Sequence, residues 1–280
     1  MSRAAAARAI GLAVLAAFAL FISVVLAKSP RLDRDWRTEL AVLPQVSWTG
    51  ETATVSGVRD WRYGPQGPRD QRYFETQMEL DALARVWFVM EPFRDSEAIG
   101  HTFVLFEFDD GRLMGLTIEA RKEMGEPYSP LKGVFNAYEL HHVWATARDL
   151  LTRRAVFLEH KLYVYPLELT DVQRKAYLQR LLETSAALAR EPRFYNTLVS
   201  NCTNELAKVA DLDWHYAFIL TGYAARALHD RGLISNAAAF EETRDRAELT
   251  AEIATLNALP PSDFDRALLR ELRKRWDAAS

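Results

Sequence analysis

The longest unbroken apolar stretch runs from Ala9 to Ala27, AIGLAVLAAFALFISVVLA, polar only at Ser23 and flanked by Arg3 and Arg8 before it and Lys28 after it. At about 1.5 Å of rise per residue it nearly matches a hydrocarbon core of about 30 Å, and it exceeds the roughly 7–15 residues of a signal-peptide core. Residues 1–27 therefore predict a transmembrane helix acting as an uncleaved signal anchor, although Val25-Leu26-Ala27 would also pass as a small-residue cleavage site. Residues 28–280 carry neither a low-complexity linker nor an internal repeat and read as one domain.

Beyond the apolar run the periodicity changes. Thr52 to Val58 alternates as a strand, and Arg59 to Tyr63 lead into a loop at Gly64-Pro65-Gln66-Gly67-Pro68. His101 to Phe108 and Leu113 to Arg121 are strongly β, separated by Asp109-Asp110-Gly111, and further strands are expected at 139–146 and 162–169. After residue 170 the pattern turns helical. Asp171 to Ala189 stops before Pro192, Trp214 to Asp230 ends at Arg231-Gly232, and Ser262 with Asp265 resembles a capping box opening a last helix. Strands in the middle with helices around them predict an α+β layout.

The composition, 49% hydrophobic and 26% charged, is that of a folded protein. With 35 basic against 38 acidic side chains and a pI near 6.1, no polyanion-binding surface covers it, so nucleic acid is not an expected partner. The chain lacks a P-loop, a dinucleotide-binding glycine fingerprint, HExxH and GxSxG. One cysteine excludes an internal disulfide and a cysteine-cluster metal site; neither metal nor cofactor is expected.

That cysteine, Cys202, follows Asn201 at what reads as a helix N-terminus, with Asn201 or Ser200 as cap. Unpaired amides and the positive dipole end there favour a thiolate and could also hold an oxyanion. The bland alternative is a buried, inert thiol. Among six histidines His101 stands out. If Asp109-Asp110-Gly111 forms a three-residue turn closed by a left-handed glycine, Phe108 faces Arg112 and His101 lies opposite Glu119. Glu119 then orients the imidazole while its other nitrogen faces the thiol. A two-residue turn would place Glu119 on the opposite face. His141 and His142, being consecutive, point to opposite faces of a strand and do not chelate one metal. His215 and His229 fit capping or surface roles at helix ends, and His160 suggests nothing. Trp61, Arg62 and Tyr63 with Tyr73 and Phe74 could line a groove or pack as core.

A Gly-His hairpin followed about a hundred residues later by Asn-Cys at a helix start resembles the circularly permuted papain-like thiol enzymes that include lecithin retinol acyltransferase. More closely, the chain resembles the Lnb N-terminal periplasmic domain family. The matching segments are Val58 to Tyr63, Gly100-His101-Thr102-Phe103, Ile118 to Glu123, Glu126-Pro127-Tyr128-Ser129, Tyr138-Glu139-Leu140, and Phe194-Tyr195-Asn196 with Asn201-Cys202-Thr203. The resemblance implies a permuted papain-like (NlpC-like) domain with a central antiparallel sheet and flanking helices, facing the periplasm from the inner membrane. It also implies cysteine-dependent acyl transfer like that of Lnb, which N-acylates lipoproteins. Cys202 would be the nucleophile and His101 its base; Glu119 is inferred to orient His101, and Asn201, Tyr195 and Arg121 to support the site or bind substrate.

The charges oppose this orientation, because Lys28, Arg31, Arg34 and Arg37 outnumber the two N-terminal arginines, but large domains translocate regardless. Unlike Lnb proper, the chain ends in a charged helix, Arg266 to Asp277, rather than in further membrane segments. The expected function is acyl transfer or hydrolysis on phospholipid or lipoprotein. Alternatives are a cell-wall peptidase or amidase and a non-catalytic envelope scaffold.

Overall fold

The computed structural model of the chain describes residues 3–93 and 96–277. The side chains of residues 3, 4, 7 and 24–26 lie outside the described residues, and with them the charge of Arg3 and the cleavage-site reading at Val25-Leu26-Ala27.

A nine-stranded sheet organises the chain. Its strands are β1 (Gln45–Thr49), β2 (Thr52–Gly64), β3 (Gly67–Glu79), β4 (Leu83–Phe93), β5 (Ser96–Phe108), β6 (Leu113–Arg121), β7 (Tyr138–Thr146), β8 (Tyr163–Pro166) and β9 (Phe194–Tyr195). The order is β1-β2-β7-β6-β5-β4-β8, with β3 added to β2 and β9 to β7. The described helices are α1 (Arg3–Leu26), α2 (Pro130–Val134), α3 (Ala147–Thr152), α4 (Asp171–Leu188), α5 (Cys202–Val209), α6 (Ala224–Asp230), α7 (Phe240–Ala247), α8 (Thr250–Leu256) and α9 (Pro261–Trp276).

The central strands are apolar on both faces because both faces are covered. On β5, Phe103 and Leu105 enter a core shared with α3, α6, α8 and α9, whereas Val104 and Phe106 enter a second core under α4 and α5. The β5–β6 turn is the three-residue type: Gly111 adopts φ +83°, its amide donates to the Phe108 carbonyl at 2.8 Å, and Phe108 N donates to the Arg112 carbonyl at 3.0 Å. The register that follows pairs Phe103 with Thr117 and Glu107 with Leu113. A capping box between Thr170 and Gln173 starts α4.

Several expectations are corrected. Among the described residues no helix is long and apolar enough to cross a membrane, so the transmembrane helix expected over residues 1–27 is withdrawn. Towards its end α1 rests on the domain, with Phe21 edge-on to Phe135 at 4.7 Å and Lys28 Nζ donating to the Phe135 carbonyl at 2.8 Å. The sheet is mixed rather than antiparallel throughout, since β2 and β7 run parallel. The segment expected as one helix from Trp214 to Asp230 breaks into two 3₁₀ turns before α6. Gly222 sits so close to the Glu97–Ala98 backbone that any β-carbon would collide with it. Asp265 does not close a capping box. Pro261 opens α9, and the Asp265 carboxylate accepts from Leu113 N at 2.9 Å. Trp61 and Tyr63 are core residues, Tyr63 stacking on Phe157.

Two buried features make testable demands. Asp149, on α3, accepts from Arg59 Nε and Nη2 and from Trp61 N, tying α3 to β2 in a fully buried ion pair. Asp149→Ala strands the guanidinium, so urea unfolding should show a loss of about 3–5 kcal/mol. His141 and His142 are buried, and burial holds both imidazoles below their ordinary range, His142 to about 3. The unfolded chain then binds more protons, so stability present above pH 6.5 should fall on acidification towards pH 3, by up to about 1.4 kcal/mol per pH unit for each group. Because neither ring nitrogen of His141 has a hydrogen-bond partner, His141→Leu should flatten that slope in pH-dependent unfolding.

Candidate active site

The strand registers line up ionisable side chains in a row. Glu91 of β4 pairs with His101 of β5, and Glu119 of β6 pairs with His141 of β7. The β5–β6 register, continued past its last ladder pair, brings His101 opposite Glu119. Directly opposed residues share a face of the sheet with β-carbons about 4.5–5.5 Å apart, so four groups of alternating type cross the sheet on one face.

Arg154 ties the row together. It lies in the single π turn Arg153–Phe157 that follows α3, and its side chain is buried. Its Nε donates to Glu91 Oε2 at 2.6 Å, its Nη1 to the Leu150 carbonyl at 2.9 Å, and its Nη2 to Glu119 Oε1 at 3.2 Å and Thr117 Oγ1 at 3.3 Å. The guanidinium also stacks over the Phe103 ring. The Thr117 hydroxyl donates to Glu119 Oε1 at 2.9 Å, which leaves its oxygen to accept from His101 Nε2 at 2.6 Å. His101 Nε2 is itself 3.4 Å from Glu119 Oε1.

Cys202 arrives from the other core. It opens α5, where the cap residue Asn201 accepts from Asn204 N through Oδ1 at 2.9 Å. The Asn201 Nδ2 donates to the Thr197 and Phe218 carbonyls at 2.9 and 2.7 Å. Thr203 Oγ1 meets Thr102 Oγ1 at 2.9 Å, pinning the first turn of α5 to the strand residue beside His101. Thr221, in the second 3₁₀ turn, accepts from Gly100 N at 3.0 Å and donates to the Gly100 carbonyl at 2.5 Å. The residues on both sides of the histidine are therefore clamped.

The thiol and the imidazole shift each other's proton equilibria. Burial alone would push the Cys202 thiol up. The charge and hydrogen bond of His101, with hydrogen bonds from the Thr102 backbone and the Thr203 hydroxyl, bring it below its ordinary value. Burial would likewise push His101 down, but the Glu119 carboxylate and Cys202 overcome it and hold the imidazole up at about 10. Burial would raise Glu119, whereas His101 and the two arginines, Arg154 and Arg153, hold it well below the usual carboxylate range. Such a set can carry a thiolate paired with an imidazolium at neutral pH.

These groups share a cavity of about 360 Å³, lined by Cys202, His101, Glu119, Glu91, Arg154 and His160 among others. Tyr195 reaches the same cavity, its hydroxyl 3.3 Å from that of Tyr128, and burial keeps its phenol protonated well above the ordinary range. Arg121 is placed elsewhere. It donates to the Leu40 and Ala41 carbonyls at 2.9 and 2.8 Å and stacks on Trp36 at 4.3 Å, and Arg154 makes the contact with Glu119. A second cavity of about 400 Å³, between α4 and α5, contains none of the row. Among the described residues no group of His, Cys, Asp and Glu side chains could hold a metal ion.

Sequence reasoning missed Glu91, Arg154 and His160. Glu91 is a charge that directly follows the apolar strand run from Val86 to Met90 and precedes Pro92-Phe93, which is a visible signal of a paired buried carboxylate. Arg154 and His160 gave none, because they reach the row through a π turn and a loop whose geometry depends on the assembled sheet.

A family model described as Lnb N-terminal periplasmic domain matches residues 69–220, which includes every residue of the row and Cys202. Searches among curated proteins and among solved structures each found no match. Since the family model covers more than half of the 280 residues, the chain belongs to the Lnb N-terminal periplasmic domain family.

Proposed function

We propose that this periplasmic domain is a cysteine-dependent acyltransferase or hydrolase acting on acyl groups of phospholipid or lipoprotein. The observation that carries the reading is Cys202 at the first turn of α5 in one cavity with His101, beside a carboxylate that holds that imidazole protonated.

The thiolate attacks an ester carbonyl, and the oxyanion meets the amide-rich start of α5, where Asn201 fixes the first turn. His101 Nε2 is engaged by Thr117 and Glu119, which leaves Nδ1 for the thiol side, and the imidazolium gives its proton to the leaving alcohol. Glu119 orients His101 through Thr117, and Tyr195 lines the cavity as a neutral hydrogen-bond donor. An acyl chain rather than a peptide is favoured by the apolar side chains in the wall, Phe93, Ile99, Ile118, Leu158, Ile219 and Leu220.

Iodoacetamide should alkylate Cys202 of the full chain at pH 7 about tenfold faster than it alkylates the urea-unfolded chain. The rate should fall as pH drops through the lowered thiol value and hold a plateau up to about 10, where His101 loses its proton. Glu119→Gln should slow alkylation at pH 7 about tenfold and move the acid limb upward by about one unit. A single inflection at an ordinary thiol value, unchanged by Glu119→Gln, would refute the activated pair. Release of nitrophenolate from 4-nitrophenyl butyrate, lost in Cys202→Ser, supports the acyl reading, whereas cleavage of peptidoglycan stem peptides without ester turnover supports the peptidase.

A further inference from the structure

The cavity holds a second imidazole that the reading above does not use. His160 Nδ1 lies 2.6 Å from Glu91 Oε1, and the other carboxylate oxygen takes Arg154 Nε at 2.6 Å. Glu91 is buried, with 3% of its surface exposed, and the charge of Arg154 together with the hydrogen bond from His160 overcomes burial to keep it ionised. An ionised carboxylate only accepts, so His160 donates through Nδ1, and in the neutral ring the Nε2 lone pair is left for the cavity that His160 lines with Cys202. His160 N also donates to the Arg154 carbonyl at 2.9 Å, and Glu159 before it takes φ +54°. The loop is thus bent back onto the π turn that carries the arginine.

Two imidazoles therefore line one cavity with the thiol, each paired with a carboxylate, and Arg154 bridges the two carboxylates. Their engagements differ. His101 has Nε2 on Thr117 and Glu119 and is coupled to Cys202, whereas His160 has one ring nitrogen uncommitted.

We infer that His160 and Glu91 form a second acid–base pair of the Cys202 cavity, which takes the proton of the acceptor when the acyl group leaves the cysteine. This rests on the thiol reading above. In the first half-reaction the S–C bond forms, the ester C–O bond breaks, and the leaving alkoxide takes the proton of His101. In the second, an amine or water attacks the thioester carbonyl and gives a proton to His160 Nε2. The new C–N or C–O bond forms, the C–S bond breaks, and Cys202 leaves as a thiolate. The proton on His160 then returns through cavity water to His101, so one proton is given and one regained per turnover. Glu91 fixes the His160 tautomer and stabilises the imidazolium that forms.

The test uses the full chain and 4-nitrophenyl butyrate, whose good leaving group needs no acid, so the burst of nitrophenolate reports acylation and the steady state reports deacylation. His160→Gln should keep a burst of about one equivalent at a rate within about twofold, while steady-state turnover falls at least about 30-fold and butyryl-Cys202 accumulates by mass. Glu91→Gln should lower the steady state with the burst retained. His160→Ala should regain turnover with added imidazole. Burst rate and turnover falling by one common factor, unchanged turnover in His160→Gln, or no rescue by imidazole would overturn the second pair. A parent chain with no burst would instead overturn the thiol reading itself, which separates the two failures.

Discussion

Everything around Cys202 depends on how one guanidinium is shared. A charge buried in a protein interior is tolerated only when it is paired and its hydrogen-bonding capacity is filled. Glu91 and Glu119 stand on either side of His101 in adjacent strands, and Arg154, itself buried, reaches both. Without that cation two carboxylates would face each other across one histidine, and one of them would take up a proton. With it both stay ionised, and the Glu119 carboxylate, with Cys202, keeps the imidazole charged.

The arginine is held by backbone as much as by charge. The π turn Arg153–Phe157 continues directly from α3 and turns Arg154 back over the sheet, where its Nη1 finds the Leu150 carbonyl and its plane finds Phe103. Such local widening of a helix is frequent at functional sites. From the opposite core, α5 is fixed by Thr102 to Thr203 and by the Phe218 carbonyl, which accepts from both Asn201 and Asn204. The site is a seam between the two cores of the sheet, and neither core alone brings the thiol and the imidazole together.

Part of this was legible in the chain. The Asp-Asp-Gly composition pointed to a three-residue turn with a left-handed glycine, and the fold takes that register rather than the two-residue alternative: Phe108 faces Arg112. The Asn-Cys start of α5 was legible because a cap is a local hydrogen bond. The segment from Trp214 to Asp230 was misread as one helix, since its break comes from the close approach of Gly222 to the Glu97–Ala98 backbone, a contact distant in sequence. Asp265 was misread for the same reason, its carboxylate serving Leu113 rather than its own helix.

Local rules therefore determined the elements that end in turns and caps, and the family pattern that names the domain. The partners of Glu91, Arg154 and His160 were decided only when β4, β5 and β6 came into register and the π turn folded over them. Pairing of buried charges is a demand of the assembled, water-poor interior, and it is met by whichever side chains the topology brings within hydrogen-bond reach. The sequence names the charged residues, but only the packed sheet determines which of them meet.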